Sequence, residues 1–364
     1  MRIWNMRELV TVLAVTTLTS FLALPSLAAG PYKVQDLGAL RGGSSVGTAL
    51  NSAGQVVGWS GFRDGGATTA FLWSSTGGLL ALGSLPGGDS SAALAINQLG
   101  TVVGRSNTPN SMRAFIWTVD AGMQEVGVLR GDSSSAASDL NDRGEVVGFS
   151  TGRHGMHAFL WTKSGGTRAL GNLPGETGSE ARGVNNSGSV VGVSKSSSGN
   201  MAFLWTARDG MISLGTLPGD TTSTAARISD SGVVVGASTG AGGTRAVLWT
   251  KEREVQNLGT LHAGDYSAAF GINNSDQVVG TSNTSLGGRA FLWTRKTGMV
   301  DLNALIPTDS NIVLTSAQAI NDRGQIIAVG GTHHDLTRDR MTDMDDEQHA
   351  GPVHLFLLTP SGVN

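Results

Sequence analysis

Three groups of side chains in this sequence have the composition to do chemistry. In the first, Arg182 and Arg227 stand 45 residues apart and are flanked by Asp139 and Glu180. A planar guanidinium can fork onto a carboxylate or a sulfate, so two of them converging would hold an anion. The plainer reading is two arginines facing ordinary neighbouring structure. In the second group, Asp89, Asp132, Glu176, Asp220, Asp265 and Asp309 recur at intervals of 43 to 45 residues. Brought together, such carboxylates would bind Ca²⁺ or accept hydrogen bonds from sugar hydroxyls. The competing reading is that each one caps its own Gly-Asp turn through nearby backbone N–H groups. The third group is a polar stretch at 332–351, with His333, His334, Asp335, Asp339, Asp343, Asp345, Asp346, Glu347 and His349. Imidazole and carboxylate ligands suit Zn²⁺ or other first-row ions, with His333, His334, Asp335 and His349 as the candidates. Their spacing matches no metal loop, and Asp343-Met344-Asp345 lacks the glycine and terminal glutamate of a calcium loop. A solvated surface loop is the alternative.

The remaining composition narrows the field. The chain has no Cys, which excludes a thiol nucleophile, and it contains no HExxH or phosphate-cradling glycine loop. A tyrosine-nucleophile glycosidase would have to draw on Tyr32 or Tyr266, the two tyrosines present. With a formal net charge of -3 and pI near 6.2, the chain has no basic footprint for a phosphate backbone, and nucleic acid is excluded as an expected partner.

The N-terminus has the layout of a secretory signal. Arg2 and Arg7 precede an apolar run from Leu9 to Leu24, then Pro25 and the small residues Ser26, Ala28 and Ala29. The expectation is a signal peptide over 1–28, cleaved after Ala28, and an exported chain that is periplasmic or extracellular. An uncleaved anchor is the alternative, but the run is shorter than the roughly 20 apolar residues that span a bilayer. No later segment could cross one, and a monomer is the expected state.

These groups must be positioned by a repeat. Trp73, Trp117, Trp161, Trp205, Trp249 and Trp293 follow one another at intervals of 44 residues. Each closes an AFLW-like run, and a seventh, degenerate copy reads Leu355-Phe356-Leu357-Leu358. A second run, QVVG and its relatives, ends at Gly58, Gly104, Gly148, Gly192, Gly236, Gly280 and finally Ala328. Each unit therefore predicts four short strands: an Ala-rich one, the VVG run, the AFLW run and an LGxL run. The 53 glycines, about twice the usual share, supply the tight turns. Turns such as Asn141-Asp142-Arg143-Gly144 join the first two strands, with the Asn bonding its own backbone as a structural residue.

A four-stranded unit of this length is a propeller blade, whereas solenoid repeats of similar length are mostly helical. Two packed sandwiches would not explain the uniform spacing. The expected fold is all-β: a seven-bladed β-propeller of four antiparallel strands per blade, one domain over 29–364, with the 332–351 insertion in the last blade. The Ala-rich strand is expected innermost, because its central column is Gly47, Ala93, Ala137, Ala181, Ala225, Ala269 and Ala317, and only small side chains fit where strands converge. The next column reads Thr48, Leu94, Ser138, Arg182, Ala226, Phe270 and Gln318, a different residue in every unit. The Trp column is expected to pack between blades rather than serve as a sugar-stacking platform. Residues 32–40 read as an outer strand with no unit of its own, and the last unit lacks one. Pairing them would close the ring and cover a sheet edge.

The GINNSDQVVG segment at Gly271, MHAFLW at Met156 and LGTL at Leu214 and Leu258 resemble the bacterial extracellular HAF repeats, named for a His-Ala-Phe tripeptide. The resemblance covers nearly all of the chain beyond the signal-like segment. Only His157-Ala158-Phe159 retains the tripeptide, since Arg113, Met201, Arg245 and Arg289 replace the His elsewhere and the last unit reads His354-Leu355-Phe356. The resemblance implies a secreted or surface-associated propeller, with no catalytic residues to carry over. The expected function is a non-enzymatic binding scaffold that presents an axial mouth or the last-blade loop to a glycan, peptide or cell-envelope component. The alternatives are a polysaccharide hydrolase or lyase using acids at the mouth with a divalent cation such as calcium, and a purely structural surface protein.

Overall fold

The computed structural model describes residues 31–40, 43–61, 66–197, 199–262, 264–332 and 354–362. These form seven antiparallel four-stranded sheets arranged as a seven-bladed β-propeller. Blades 1 to 7 are numbered by their innermost strands: Ser44–Leu50, Ser91–Ile96, Asp132–Leu140, Gly178–Val184, Asp220–Ile228, Ser267–Ile272 and Ile312–Ile320. In blades 1 to 6 the four strands run outward in sequence order.

Blade 7 is built from both parts of the chain. Its outer strand is Tyr32–Asp36, antiparallel to His354–Pro360, with Tyr32 opposite Pro360 and Asp36 opposite Phe356. The strand stops short of the expected residue 40 because Asp36 Oδ1 accepts from Gly38 N–H at 2.8 Å and Gly38 turns the chain at φ +70°. A last ladder bond, Leu37 N–H to Leu355 O at 2.9 Å, holds the end down. The insertion leaves this blade after Thr332. Residues 333–353 lie outside the described set, and with them the candidates His333, His334, Asp335 and His349.

The conserved-looking columns have steric causes. Each inner strand carries a bulge one residue beyond its small column, as between Ala137 and Asp139 or Ala181 and Gly183. The bulge presses a carbonyl onto the second strand. A Cβ on Gly148 would sit 2.0 Å from Ala136 O, and one on Gly192 2.0 Å from Glu180 O, so the VVG run must end in glycine. Ala328 stands at that place in blade 7, where a second bulge lies between Leu314 and Ser316 and the tight approach falls at Gly330, 2.1 Å from Val313 O.

Core forms between blades. Val147, Ala158, Leu160 and Leu173 of blade 3 and its crossing pack against Ala181, Val190, Phe203 and Trp205 of blade 4. Trp205 also lies under the Arg168 guanidinium, 4.8 Å from the ring centroid. Trimming such an aromatic to Ala costs roughly 3–5 kcal/mol, so the Trp column is framework. Two buried serine columns complete the joints. Ser135 Oγ accepts from Ala114 N–H at 3.0 Å and donates to Gly127 O at 2.7 Å in the preceding blade. Ser150 Oγ accepts from Leu129 N–H at 3.1 Å and donates to Ser134 O at 3.2 Å, pinning the crossing between blades.

Candidate functional site

The inner strands run from the blade-to-blade crossings at one face to the Asn turns at the other, and the axis between them has two compartments. The first is a cavity of about 270 Å³ lined by Thr48, Leu94, Ser138, Arg182, Ala226, Phe270 and Gln318, with Glu180 and Arg227. This is the column in which every blade differs. Alternation along a strand explains the placement: the small column turns into the blade interface, so its neighbour must point at the axis.

Charge gathers on blades 3 to 5. Glu180 Oε1 accepts from Arg182 Nε at 3.1 Å, and Oε2 takes Lys195 Nζ of the adjacent strand at 2.9 Å. Burial pushes the Glu180 carboxyl up, but Arg182 and Lys195 together outweigh it and hold the group below the usual carboxylate range. Arg227 donates through Nη1 to Arg182 O at 2.8 Å and Ala226 O at 3.0 Å. Asp139 accepts from Val184 N–H of blade 4 and from its own neighbour Leu140 N–H, both at 3.0 Å. Its carboxyl is raised by burial, which the Arg227 charge and the two backbone bonds oppose without cancelling. Thus Arg182, Arg227 and Glu180 line one cavity, while Asp139 braces blade 3 to blade 4 beside it. Lys195, which sequence reasoning missed, lies on the second strand, whose alternation carries no mark of the axis.

Past this cavity the axis narrows to a ring of aliphatics: Leu50, Ile96, Leu140, Val184, Ile228, Ile272 and Ile320. They floor a second, shallower compartment of about 170 Å³ on the turn side. The two compartments share no lining residue. Above the floor, buried asparagines interlock around the ring. Asn141 Oδ1 accepts from Arg143 N–H at 3.1 Å and Glu145 N–H at 3.0 Å, while Nδ2 donates to Asn185 O of the next blade at 3.0 Å. The residues that follow form an outer crown in which Asp142, Asn186, Asp230, Asn274 and Asp322 alternate. Asn186 Nδ2 donates to Asp142 Oδ2 at 3.0 Å and Asp230 Oδ2 at 3.2 Å, and Asn274 Nδ2 to Asp322 Oδ2 at 3.0 Å. The signal for this crown was the Asx at the second place of five of the seven turns. Turn chemistry accounts for such residues one blade at a time, which hid their meeting.

The six crossing acids do not assemble. Each stays with its own crossing, near the start of an inner strand. Asp132 and Asp220 stand opposite Gly152 and Gly240, five residues before the small column, which places them far along the strand from the cavity. Asp220 Oδ2 accepts from Ser238 Oγ at 2.6 Å, Asp89 from Asn107 Nδ2 at 3.5 Å, and Asp265 from Asn283 Nδ2. Asp132 and Glu176 each keep one buried oxygen without a partner. Asp309 lines a separate groove at the crossing from blade 6 to blade 7. Asp89, Asp220 and Asp265 thus bond neighbours within their own blades, and none of the six acids lines the axial cavity. Among the described residues, no three His, Asp or Glu side chains come together as a metal-ligating group. Nor is any helix among them long and apolar enough to cross a membrane.

The fold and its axial cavity define a seven-bladed propeller, and solved propeller structures match it. Virginiamycin B lyase from Staphylococcus aureus superposes with a TM-score of 0.55 at 14% identity over 90% of this chain and 99% of that one. A streptogramin B lyase gives 0.54 at 12% identity, covering 90% and 97%. TolB from Acinetobacter baumannii gives 0.49 at 12% identity over 67% of this chain, which spans 62% of TolB's length. For the two lyases, identities this low show a shared fold alone. No protein-family model matches the chain, and no curated protein matches it in sequence.

Proposed function

We propose that this protein is an exported, non-enzymatic binding propeller of the HAF-repeat kind whose axial cavity takes an anionic group of a glycan, peptide or cell-envelope component. One observation carries the reading. The single column that differs in all seven blades lines a cavity, which is also lined by Arg227, one residue beyond that column on the blade adjoining Arg182. Of their nitrogens, Arg182 Nη1 and Arg227 Nε and Nη2 make no hydrogen bond to any described residue, so donors remain for a ligand. The signal-like layout of residues 1–28 supports export.

The test is calorimetry of the purified protein against carboxylated and sulfated saccharides, acidic peptides and their neutral counterparts. Anionic members should bind and neutral ones should not, and the double variant Arg182→Ala, Arg227→Ala should lose the binding. Retention of neutral ligands alone, or turnover of a polysaccharide, would overturn the reading.

A further inference from the structure

We infer that the axial cavity is built for a ring-shaped monocarboxylate, with Arg227 as the anion anchor, Phe270 as the platform for the ring and Glu180 as a filter against a second negative charge. This rests on the reading of the cavity as an anion site and names the class of ligand.

The two arginines are not equivalent. Arg182 already has a carboxylate, with Nε at 3.1 Å and Nη2 at 3.4 Å from Glu180, and that carboxylate is shared with Lys195 at 2.9 Å. Arg227 is held by two backbone carbonyls through a single nitrogen, which orients the guanidinium and leaves Nε and Nη2 as a free fork. Among the charged residues that line the cavity, two cations, Arg182 and Arg227, accompany one carboxylate, Glu180. The excess is one positive charge, so one carboxylate neutralises the site. A second one would meet Glu180.

The rest of the lining is not that of a polyanion groove. Phe270 on blade 6 adjoins Arg227 on blade 5, and Leu94 and Ala226 add further apolar surface. Ser138, Thr48 and Gln318 supply the remaining polar edge. At about 270 Å³ the cavity lies at the lower end of small-molecule pockets, roughly 300 Å³ and up, which suits one ring-sized group. A ring with one carboxylate and an apolar face meets all three demands. The uronate unit of an acidic glycan and a free aromatic carboxylate share this chemistry.

Calorimetric titration of the full chain with glucuronate, galacturonate, benzoate, acetate, glucose and phthalate tests the inference. The ring monocarboxylates should bind at least about tenfold more tightly than glucose or acetate, as one charge-assisted fork or one stacked ring would provide. Uronate outperforming benzoate would identify the source as a glycan, and the reverse a free aromatic acid. Arg227→Ala should abolish binding, with Arg227→Lys as a folded control that keeps charge but not the fork. Phe270→Ala should weaken ring ligands and leave acetate unchanged, and Glu180→Gln should admit phthalate. If sulfated or multiply charged ligands bind through Arg182 and Arg227 while these monocarboxylates do not, the inference falls and the anion reading stands. If no anion of any kind binds to the folded protein, both fall.

Discussion

The turn-side crown and the crossing-side cavity are made by the same seven strands, four residues apart at Arg182 and Asn186, yet they solve opposite problems. The crown is nearly uniform and self-satisfied: each buried Asn spends its amide on its own turn and on the next blade. Even its carboxylates are matched, with Asp230 taking amide donors from both Asn186 and Asn274. The cavity is uneven in every blade and leaves guanidinium donors open. A ring that must close needs identical joints. A site that must discriminate needs unlike ones.

The largest expected effect comes from breaking what both regions share. Deleting residues 32–36 should expose the edge of His354–Pro360 and lower the melting temperature by roughly 10 °C or more, against little change for an equal deletion in a surface turn. Equal melting temperatures in a thermal scan would show that ring closure does not depend on that strand. Next is the crown alone. Asn141→Ala removes two acceptor bonds and the link to blade 4, and should cost about 2–3 kcal/mol in urea unfolding while leaving ligand affinity within error. A loss of affinity as large as the loss of stability would mean that the two compartments are coupled through the aliphatic ring.

Smaller effects separate Glu180 of the cavity from Asp139 beside it by the sign of their pH dependence. Glu180 has its carboxyl held down in the folded state, so its contribution is present above the ordinary glutamate range and is lost as pH falls through the lowered value. Glu180→Gln should therefore cost about 1 kcal/mol at neutral pH, trimmed by partial exposure of its partners, and the gap should close in acid. Asp139 has the opposite sign. Its carboxyl is raised, so the folded state favours the protonated form, and its contribution is full at low pH and lost as pH rises through the raised value. Asp139→Asn should gain on the parent protein as pH rises. Parallel stability curves for this variant and the parent across that range would remove the burial argument.

Much of this was readable in the residues because a repeat turns position into statistics. The Trp and VVG columns predicted blades, and the varied column at Arg182 and Phe270 predicted the cavity lining. The crossing acids left two readings open, because recurrence of Asp132 and Asp220 reports a shared local joint as readily as a shared site. Lys195 was invisible, since it reaches Glu180 across a strand pair and nothing in its own column sets it apart. The serines of the VVGxS run, such as Ser150, recur plainly, but their partners lie in another segment of chain and give no local sign.

By itself the sequence determined the number of blades, the order of their strands and which column faces the axis, since these follow from local periodicity, side-chain size and alternation along a strand. Tertiary structure alone decided which carboxylates meet. No three of the described crossing acids come together, whereas Asp142, Asp230 and Asp322, each an ordinary turn residue in its own repeat, are linked through Asn186 and Asn274 into one crown. Contact between one blade and the next is a property of the closed ring, and no single repeat encodes it.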